Sequence, residues 1–370
     1  MTIKQDTKHA KAPNQPCCDR SCRYSVSGST ALSVDLETDR ADSLGFVSGE
    51  LVSDHSLPEN RTSKGSGILP GISLDFRELT IDDRPLVSSL LAAEDSLASD
   101  GCFGTLFLWG RSYGMTAAPM GERMICRYDS GDGLFFSYPF GSGPLKPAVL
   151  QMKQLAENQR RPLILRGMTG EQKQRLETEL PDLFSFEEIR SSADYIYEAD
   201  VLANLGGKKL HNKRNHCNRF EQECPDWKFE PLQKQHIPSC IRLLERWESE
   251  HEDLDAGMPE AEKEAIMTAF CHYDTLGLQG GVLYAGERLV AFTFGEPVGK
   301  NGFDVRFEKA DTSVHGTYQM INREFVRHLL RIHPGLLYIN REEDMGMENL
   351  RKAKESYYPA FLLNKYAARW

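Results

Sequence analysis

The chain has 370 residues, with 44 Lys+Arg against 54 Asp+Glu and a formal net charge of −10. That balance excludes a general affinity for nucleic acid or anionic membrane, so any anion recognition has to be local. The length exceeds a single domain of roughly 100–200 residues and, with 40% hydrophobic residues, supports two cores.

No apolar run approaches the roughly 20 residues that span a bilayer, and the first residues lack an apolar secretory core, so a soluble, cytoplasmic chain without a transmembrane segment is expected. The nine cysteines are an odd count, and Cys102, Cys126, Cys217, Cys224, Cys240 and Cys271 show no paired close spacing, so reduced thiols are expected. Cys17, Cys18 and Cys22 lack a recognised zinc spacing, and no metal site is expected there.

Residues 1–67 are rich in Ser, Thr, Asp and Lys, carry Tyr24 and Phe46 as their aromatics, and read as a disordered tail. Alternation over 72–79 predicts a half-buried strand, and helices follow over 82–91 and 103–111. Strands are expected over 124–128 and 134–138. The turn Phe140-Gly141-Ser142-Gly143-Pro144 then opens a helix to Asn158. A strand at 163–165, a helix over 170–180 and strands at 184–189 and 194–197 complete the first half.

The second half reads as a strand at 227–231, helices over 236–249 and 260–272, and strands at 282–285, 288–295 and 302–309. A turn at His315-Gly316 opens a helix to Ile332, followed by a strand at 336–340, a helix through Tyr357 and a strand at 361–366. The order of elements nearly repeats, without alignable identity. The expected fold is therefore α/β (α+β): two modules, 68–200 and 201–370, each a central mixed sheet flanked by helices. A strand, a turn and a helix start in mid-sheet present unpaired N–H groups and a positive dipole end, the requirements of an anion cradle, once per half. Gly141, Gly143 and Gly316 are its cofactor-binding candidates.

Four constellations could carry chemistry. Residues 208–220, Lys-Lys-Leu-His-Asn-Lys-Arg-Asn-His-Cys-Asn-Arg-Phe, contain no carboxylate. On a helix they would show cations over a thin stripe of Leu210, Cys217 and Phe220, making Lys208, Lys209, Lys213, Arg214, Asn215 and Arg219 anion-binding candidates. A solvated charged helix is the plainer reading. In 302–309, Phe303, Val305 and Phe307 alternate with Asp304, Arg306 and Glu308, and Glu308 lies toward the strand end, where open sheets meet ligands. Three consecutive acids, Glu342, Glu343 and Asp344, leave the next strand after Asn340 and could dock a cationic or amine substrate. On the late helix Leu350, Ala353, Lys354 and Tyr357 share a face, which turns the Lys354 ammonium inward to snorkel or to meet an anion. No Gly-x-Ser-x-Gly elbow, Cys-His signature or Gly-Lys-Ser/Thr is present, which argues against a hydrolase or a nucleotide triphosphatase.

The words Lys208 to Phe220, Phe307-Glu308-Lys309-Ala310-Asp311, Asn340 to Gly346 and Leu350 to Tyr357 together resemble the bacterial family named after the C-terminal domain of phosphatidylglycerol lysyltransferase, over roughly residues 72–370. The resemblance implies two tandem GNAT-like acyltransferase modules related to the Fem-type peptidyltransferases, which move an aminoacyl group from aminoacyl-tRNA onto an amine or hydroxyl. It also implies a basic helix leading the second module, matched by Lys208 to Arg219, and a site lysine on the late helix, matched by Lys354. Acetyl-CoA-using GNAT enzymes carry Gln/Arg-x-x-Gly-x-Gly/Ala at the central turn. This chain has Tyr138-x-x-Gly141-x-Gly143 and Ser313-x-x-Gly316-x-Tyr318, so pyrophosphate cradling is compromised in both halves.

The expected activity is aminoacyl transfer, with aminoacyl-tRNA as co-substrate and an anionic small molecule or lipid headgroup as acceptor. Glu308 or Glu343 would move the proton, Lys354 would contact an oxyanion or phosphate, and Asn340, Glu342, Asp344 and Tyr357 would line the substrate site. Two alternatives stand beside it: a non-catalytic module binding RNA or a phosphorylated ligand, and an acetyl-CoA-dependent N-acetyltransferase.

Overall fold

The computed structural model describes residues 74–130, 133–251 and 259–370; the expected disorder of 1–67 and the group of Cys17, Cys18 and Cys22 lie outside them. The first helices and strands among the described residues are α1 (Arg84–Ala92) and α2 (Phe103–Gly110), then β1 (Met115–Met120), β2 (Arg123–Ser130), β3 (Gly133–Ser137) and β4 (Phe140–Gly141). Next come α3 (Leu145–Asn158), β5 (Ile164–Thr169), α4 (Gly170–Glu179), β6 (Ser185–Glu188), β7 (Asp194–Glu198), α5 (Ala199–Asn204) and α6 (His211–Glu223). They are followed by β8 (Lys228–Pro231), α7 (Ile237–His251), α8 (Glu260–Cys271), β9 (Gln279–Ala285), β10 (Arg288–Val298) and β11 (Gly302–Ala310). The last elements are α9 (Thr317–Ile332), β12 (Tyr338–Asn340), α10 (Glu348–Glu355), β13 (Phe361–Leu363) and β14 (Lys365–Arg369).

Among the described residues two mixed seven-stranded sheets form. The first runs β1-β2-β3-β5-β14-β6, with β4 paired to β2; the second runs β13-β7-β12-β11-β10-β9-β8. The pairs β3·β5 and β11·β12 are parallel and the other ladders of the two sheets antiparallel. Helix α3 covers the first sheet with Leu145, Ala148, Val149, Met152 and Ala156, the i, i+3, i+4, i+7 stripe of a one-faced helix. Helix α9 does the same on the second sheet through Met320, Ile321, Phe325, Val326 and Leu329. A third core joins the sheets: Leu90, Phe103 and Leu106 from α1 and α2 meet Leu243, Ile266 and Phe270 from α7 and α8, with Met124, Phe292 and Phe294 from the strands.

Three expectations need correction. The alternating segment 72–79 yields, from residue 74 on, one bridge between Arg77 and Ala117. Asp83 accepts from the Arg77 guanidinium at 2.6 and 2.8 Å and from the Thr80 N–H at 2.7 Å, which turns the chain out of the sheet. The partner strand β1, Met-Thr-Ala-Ala-Pro-Met, has little strand character by composition, and its Pro119 is tolerated because β1 lies at the sheet edge. The basic helix starts at His211, so Lys208 and Lys209 stand in the preceding turn.

The strand expected over 361–366 divides at Asn364 into β13, on the second sheet, and β14, on the first. Likewise β7, N-terminal to the 200/201 boundary, pairs with β12 and β13 of the second sheet. The two halves exchange strands across that boundary.

Candidate active site

The site is built where β11 and β12 end and α10 returns over them. Glu308 on β11 accepts from Arg341 Nη2 at 3.0 Å, and the Asn322 amide of α9 lies 3.5 Å from its other oxygen. Arg341 follows β12 and stacks 5.1 Å from the Tyr357 ring centroid, and the Lys213 ammonium of α6 sits 4.2 Å from that centroid. The next residue, Glu342, has φ +56°, a left-handed conformation that disfavours side chains. Its N–H is held there by donating to Asn340 Oδ1 at 2.6 Å. The kink directs the chain back so that the Glu343 backbone carbonyl accepts from Lys354 Nζ. The Tyr197 hydroxyl donates to the Lys354 carbonyl at 2.8 Å and pins the end of α10.

A layer of buried charge lies behind these groups. Arg306 donates to Glu296 and Asp304 at 2.8 Å each, to Thr105 at 2.7 Å, and stands 3.5 Å from Glu342. Lys365 of β14 reaches Asp100 at 2.9 Å, Asp194 at 3.0 Å and Glu343 at 4.0 Å. Asp194 also accepts from Ser99 N at 2.7 Å and Asn340 Nδ2 at 2.9 Å. The strand exchange therefore brings a lysine of the first sheet under the acids of the second.

The electrostatics follow from enclosure with incomplete pairing. Burial pushes Glu343 up to about 7, opposed by Lys365, although its side chain remains 32% exposed. Burial likewise raises Glu308 against the pull of Arg341. Glu342 is held well above the carboxylate range by burial and by Asp304, itself raised to about 7 mainly by burial. Burial lowers Lys354 to about 8, offset by Glu342 and lowered further by Arg341. Lys213 is lowered by burial and Arg341. With the layer behind included, seven carboxyl groups (Asp100, Asp194, Glu296, Asp304, Glu308, Glu342, Glu343) share four cations (Arg306, Arg341, Lys354, Lys365), an excess of acids, and Lys213 lies beside Arg341 and Tyr357.

The residues anticipated from sequence divide clearly. Glu308, Glu342, Glu343, Lys354, Tyr357 and Lys213 converge. Asn340 and Asp344 are internal fasteners: Asn340 donates to Leu97 O and Asp194, and Asp344 ties Arg190, Arg351 and the Tyr195 hydroxyl. Arg214 donates to the Leu205 and Gly207 carbonyls, closing the left-handed end of α5, and Arg219 pairs with exposed Glu223 at 2.6 Å. Asn215 contacts exposed His211, while Lys208 and Lys209 are exposed, the latter 5.2 Å from the Tyr358 ring centroid. The expected cationic helix surface thus contributes one side chain, Lys213, to the cleft.

Close backbone approach accounts for two of the three candidate glycines. A Cβ on Gly141 would lie 2.1 Å from Glu122 O, and one on Gly316 2.3 Å from His216 O. Gly143 donates to Glu122 O at 3.5 Å. Sequence reasoning left Arg341 unassigned within its own motif word and missed Asp194 and Lys365, whose partners are remote in the chain. Charged Asp304 and Arg306 between Phe303, Val305 and Phe307 were the available signal for the buried triad.

Solved structures resemble the chain in fold. A conserved protein of unknown function from Bacteroides thetaiotaomicron superposes with a TM-score of 0.75 and 36% identity, covering 80% of this chain and 99% of that one. L-PGS from Bacillus licheniformis gives 0.52 at 16% identity, covering 71% of this chain and 86% of that one, and FemX gives 0.51 at 9%, covering 80% and 96%; these two establish the fold, a pair of GNAT-like modules. An uncharacterised protein of Mycoplasmoides gallisepticum is 26% identical over 181 residues, 48% of this chain, and the chain spans just over half (56%) of that curated relative. No helix among the described residues is long and apolar enough to cross a membrane. Residues 93–369 match the model of the family described as phosphatidylglycerol lysyltransferase, C-terminal, and the chain belongs to that family of acyltransferase-type domains.

Proposed function

We propose that this chain transfers an aminoacyl group from aminoacyl-tRNA to an amine or hydroxyl acceptor, with catalysis at the cleft of Glu308, Glu343 and Lys354. The observation that carries the reading is that Lys354 Nζ donates to the Glu343 backbone carbonyl at the exit of β12, close to the Glu308–Arg341 pair, where burial raises the Glu343 carboxyl to about 7 and lowers the Lys354 ammonium to about 8, values suited to proton transfer at neutral pH. Glu343 takes the proton of the attacking amine or hydroxyl, because Glu308 is already engaged by Arg341. The nucleophile bonds to the ester carbonyl carbon, and Lys354 stabilises the oxyanion that develops. Collapse breaks the carbon–oxygen ester bond, and Glu343 returns its proton to the departing ribose hydroxyl. The excess of carboxylates suits the ammonium of an aminoacyl group, while Lys213 with Arg341 suits a phosphate of the donor or of an anionic small molecule or lipid headgroup.

The test is to incubate the purified chain with a charged tRNA pool, with and without phosphatidylglycerol vesicles or small amines, and follow loss of the aminoacyl ester and gain of product. Acceptor-dependent turnover that Lys354→Met lowers by about 10²–10³ is expected. Turnover of acetyl-CoA instead, or tight RNA binding with a steep log-linear salt dependence and no ester loss, would replace this reading with an acetyltransferase or a silent RNA-binding module.

A further inference from the structure

Two imidazoles fasten α6 to the turn that opens α9. His216 Nδ1 lies 2.8 Å from His315 Nε2, the ring centroids are 4.8 Å apart, and both residues are half-buried. Such a contact holds only while one of the facing nitrogens carries the proton and the other offers a lone pair, since an imidazolium can only donate. The backbones meet at the same place, where a Cβ on Gly316 would lie 2.3 Å from His216 O. One turn back along α6, on the face it shares with His216, Lys213 sits over the Tyr357 ring. One residue on, Cys217 is fully buried in the core that α6 shares with α9.

No acid of the two helices is free to hold a second positive charge there. Glu221 and Glu324 are engaged by Arg323 at 2.6 and 2.8 Å, and Glu223 by Arg219 at 2.6 Å. Before the turn, Asp311 is taken by Ser313, Arg288 and Arg246, and on the cleft side Arg341 beside Tyr357 adds a further cation. Burial, then His315, Lys213 and Arg219, accordingly hold His216 below its ordinary 6.5.

We infer that the His216–His315 pair is an acid-operated latch, closed while one proton lies between the facing nitrogens and opened when both rings are imidazolium, so that α6 leaves the α9 turn, uncovers Cys217 and takes Lys213 away from Tyr357. The latch concerns how two helices are joined and stands whether or not the cleft transfers aminoacyl groups. Cys217 is its reporter. The full chain is treated with dithiodipyridine, which labels thiols in mild acid, at about pH 7.5 and about pH 5, either side of the histidine range. Labelling is mapped by peptide mass spectrometry against Cys126 of β2, which is equally buried. The ratio of Cys217 to Cys126 labelling is expected to rise at least about tenfold in acid, as local opening exposes one thiol and not the other. His315→Gln puts an amide nitrogen where Nε2 stands, keeps a donor for His216 and takes no proton, so the rise should vanish. Should that variant fold poorly, His216→Asn removes the titrating ring from α6 and should abolish the rise likewise. An unchanged ratio in the unsubstituted chain, whether neither thiol or both react faster, or a rise that persists in either folded variant, would overturn the latch.

Discussion

In the transfer proposed above, single residues would set the pH behaviour: the active form has Glu343 ionised and Lys354 protonated, so the rate should climb as pH rises through about 7 and decline above about 8. A pH–rate profile reads both limbs. Lys354→Met should lower kcat/KM by about 10²–10³, the size of a lost oxyanion donor, with an unchanged circular dichroism spectrum. Lys354→Arg should push the alkaline limb upward. A variant as fast as the parent would remove Lys354 from the mechanism. Asp344 behaves differently. Burial alone would raise it, but hydrogen bonds from Arg351, Tyr195 and the Gly346 N–H outweigh burial and hold it at about 2, below the ordinary 3.8. A depressed carboxyl stabilises the fold above its unfolded value and loses that contribution as pH falls toward 2, here about 2 kcal/mol. Asp344→Asn should cost about 2–4 kcal/mol in urea unfolding at pH 7 and flatten the stability curve between pH 4 and 2. An unaltered acid slope would show that the titration lies elsewhere.

Among the elements, α6 and α9 matter most to the rim of the cleft. Gly316 begins α9 with φ +80°, and its absent side chain lets the α6 backbone approach. Gly316→Ala would force a Cβ against His216 O, in a conformation that alanine resists, so α6 must move and carry Lys213 away from Tyr357. About 1–3 kcal/mol of stability should be lost, and the KM for the phosphate-bearing substrate should rise more than kcat falls. Steady-state kinetics beside a denaturant titration separate the two effects, and an unchanged KM would detach α6 from substrate binding. The elements differ in how legible they were. The stripe of α3, the stripe of α9 and the strands β10 and β11 follow from apolar periodicity. The start of α6 did not, because Lys208, Lys209 and Leu210 continue the same composition into a turn. What stops the helix there is Arg214 folding back onto the carbonyls that end α5, a contact that composition cannot announce.

For the whole molecule, the exchange of β7 and β14 and the core shared by α1, α2, α7 and α8 make the halves interdependent. Cleavage between residues 200 and 201 would leave the first piece without β14, opening the β5 and β6 edges, and the second without β7, between β12 and β13. Neither piece alone should unfold cooperatively, and mixing the two should restore a single transition. Two independent calorimetric transitions from the separate pieces would contradict this.

The candidate site was readable where its residues are close in the chain. Glu342, Glu343 and Lys354 lie on one strand exit and the helix after it, and local periodicity orients them. Glu308 was readable from the alternation of β11. Its Arg341 partner was visible only as part of a motif word, since pairing depends on which strands are neighbours. Most of the presumed anion-binding cations went elsewhere for the same reason: one helix sequence cannot say which of its faces another element will cover.

Apolar period and strand-end chemistry are properties of adjacent residues, so the mixed α/β character, the motif words after β11 and β12 and the inward ammonium of α10 were legible in the residue order itself. That Lys365 lies close to Asp194 and Glu343, and that Lys213 of α6 meets Tyr357, emerged from the folded chain alone. Those outcomes depend on strand order and on the balance between burial and charge, which exist only once distant segments share a low-dielectric interior.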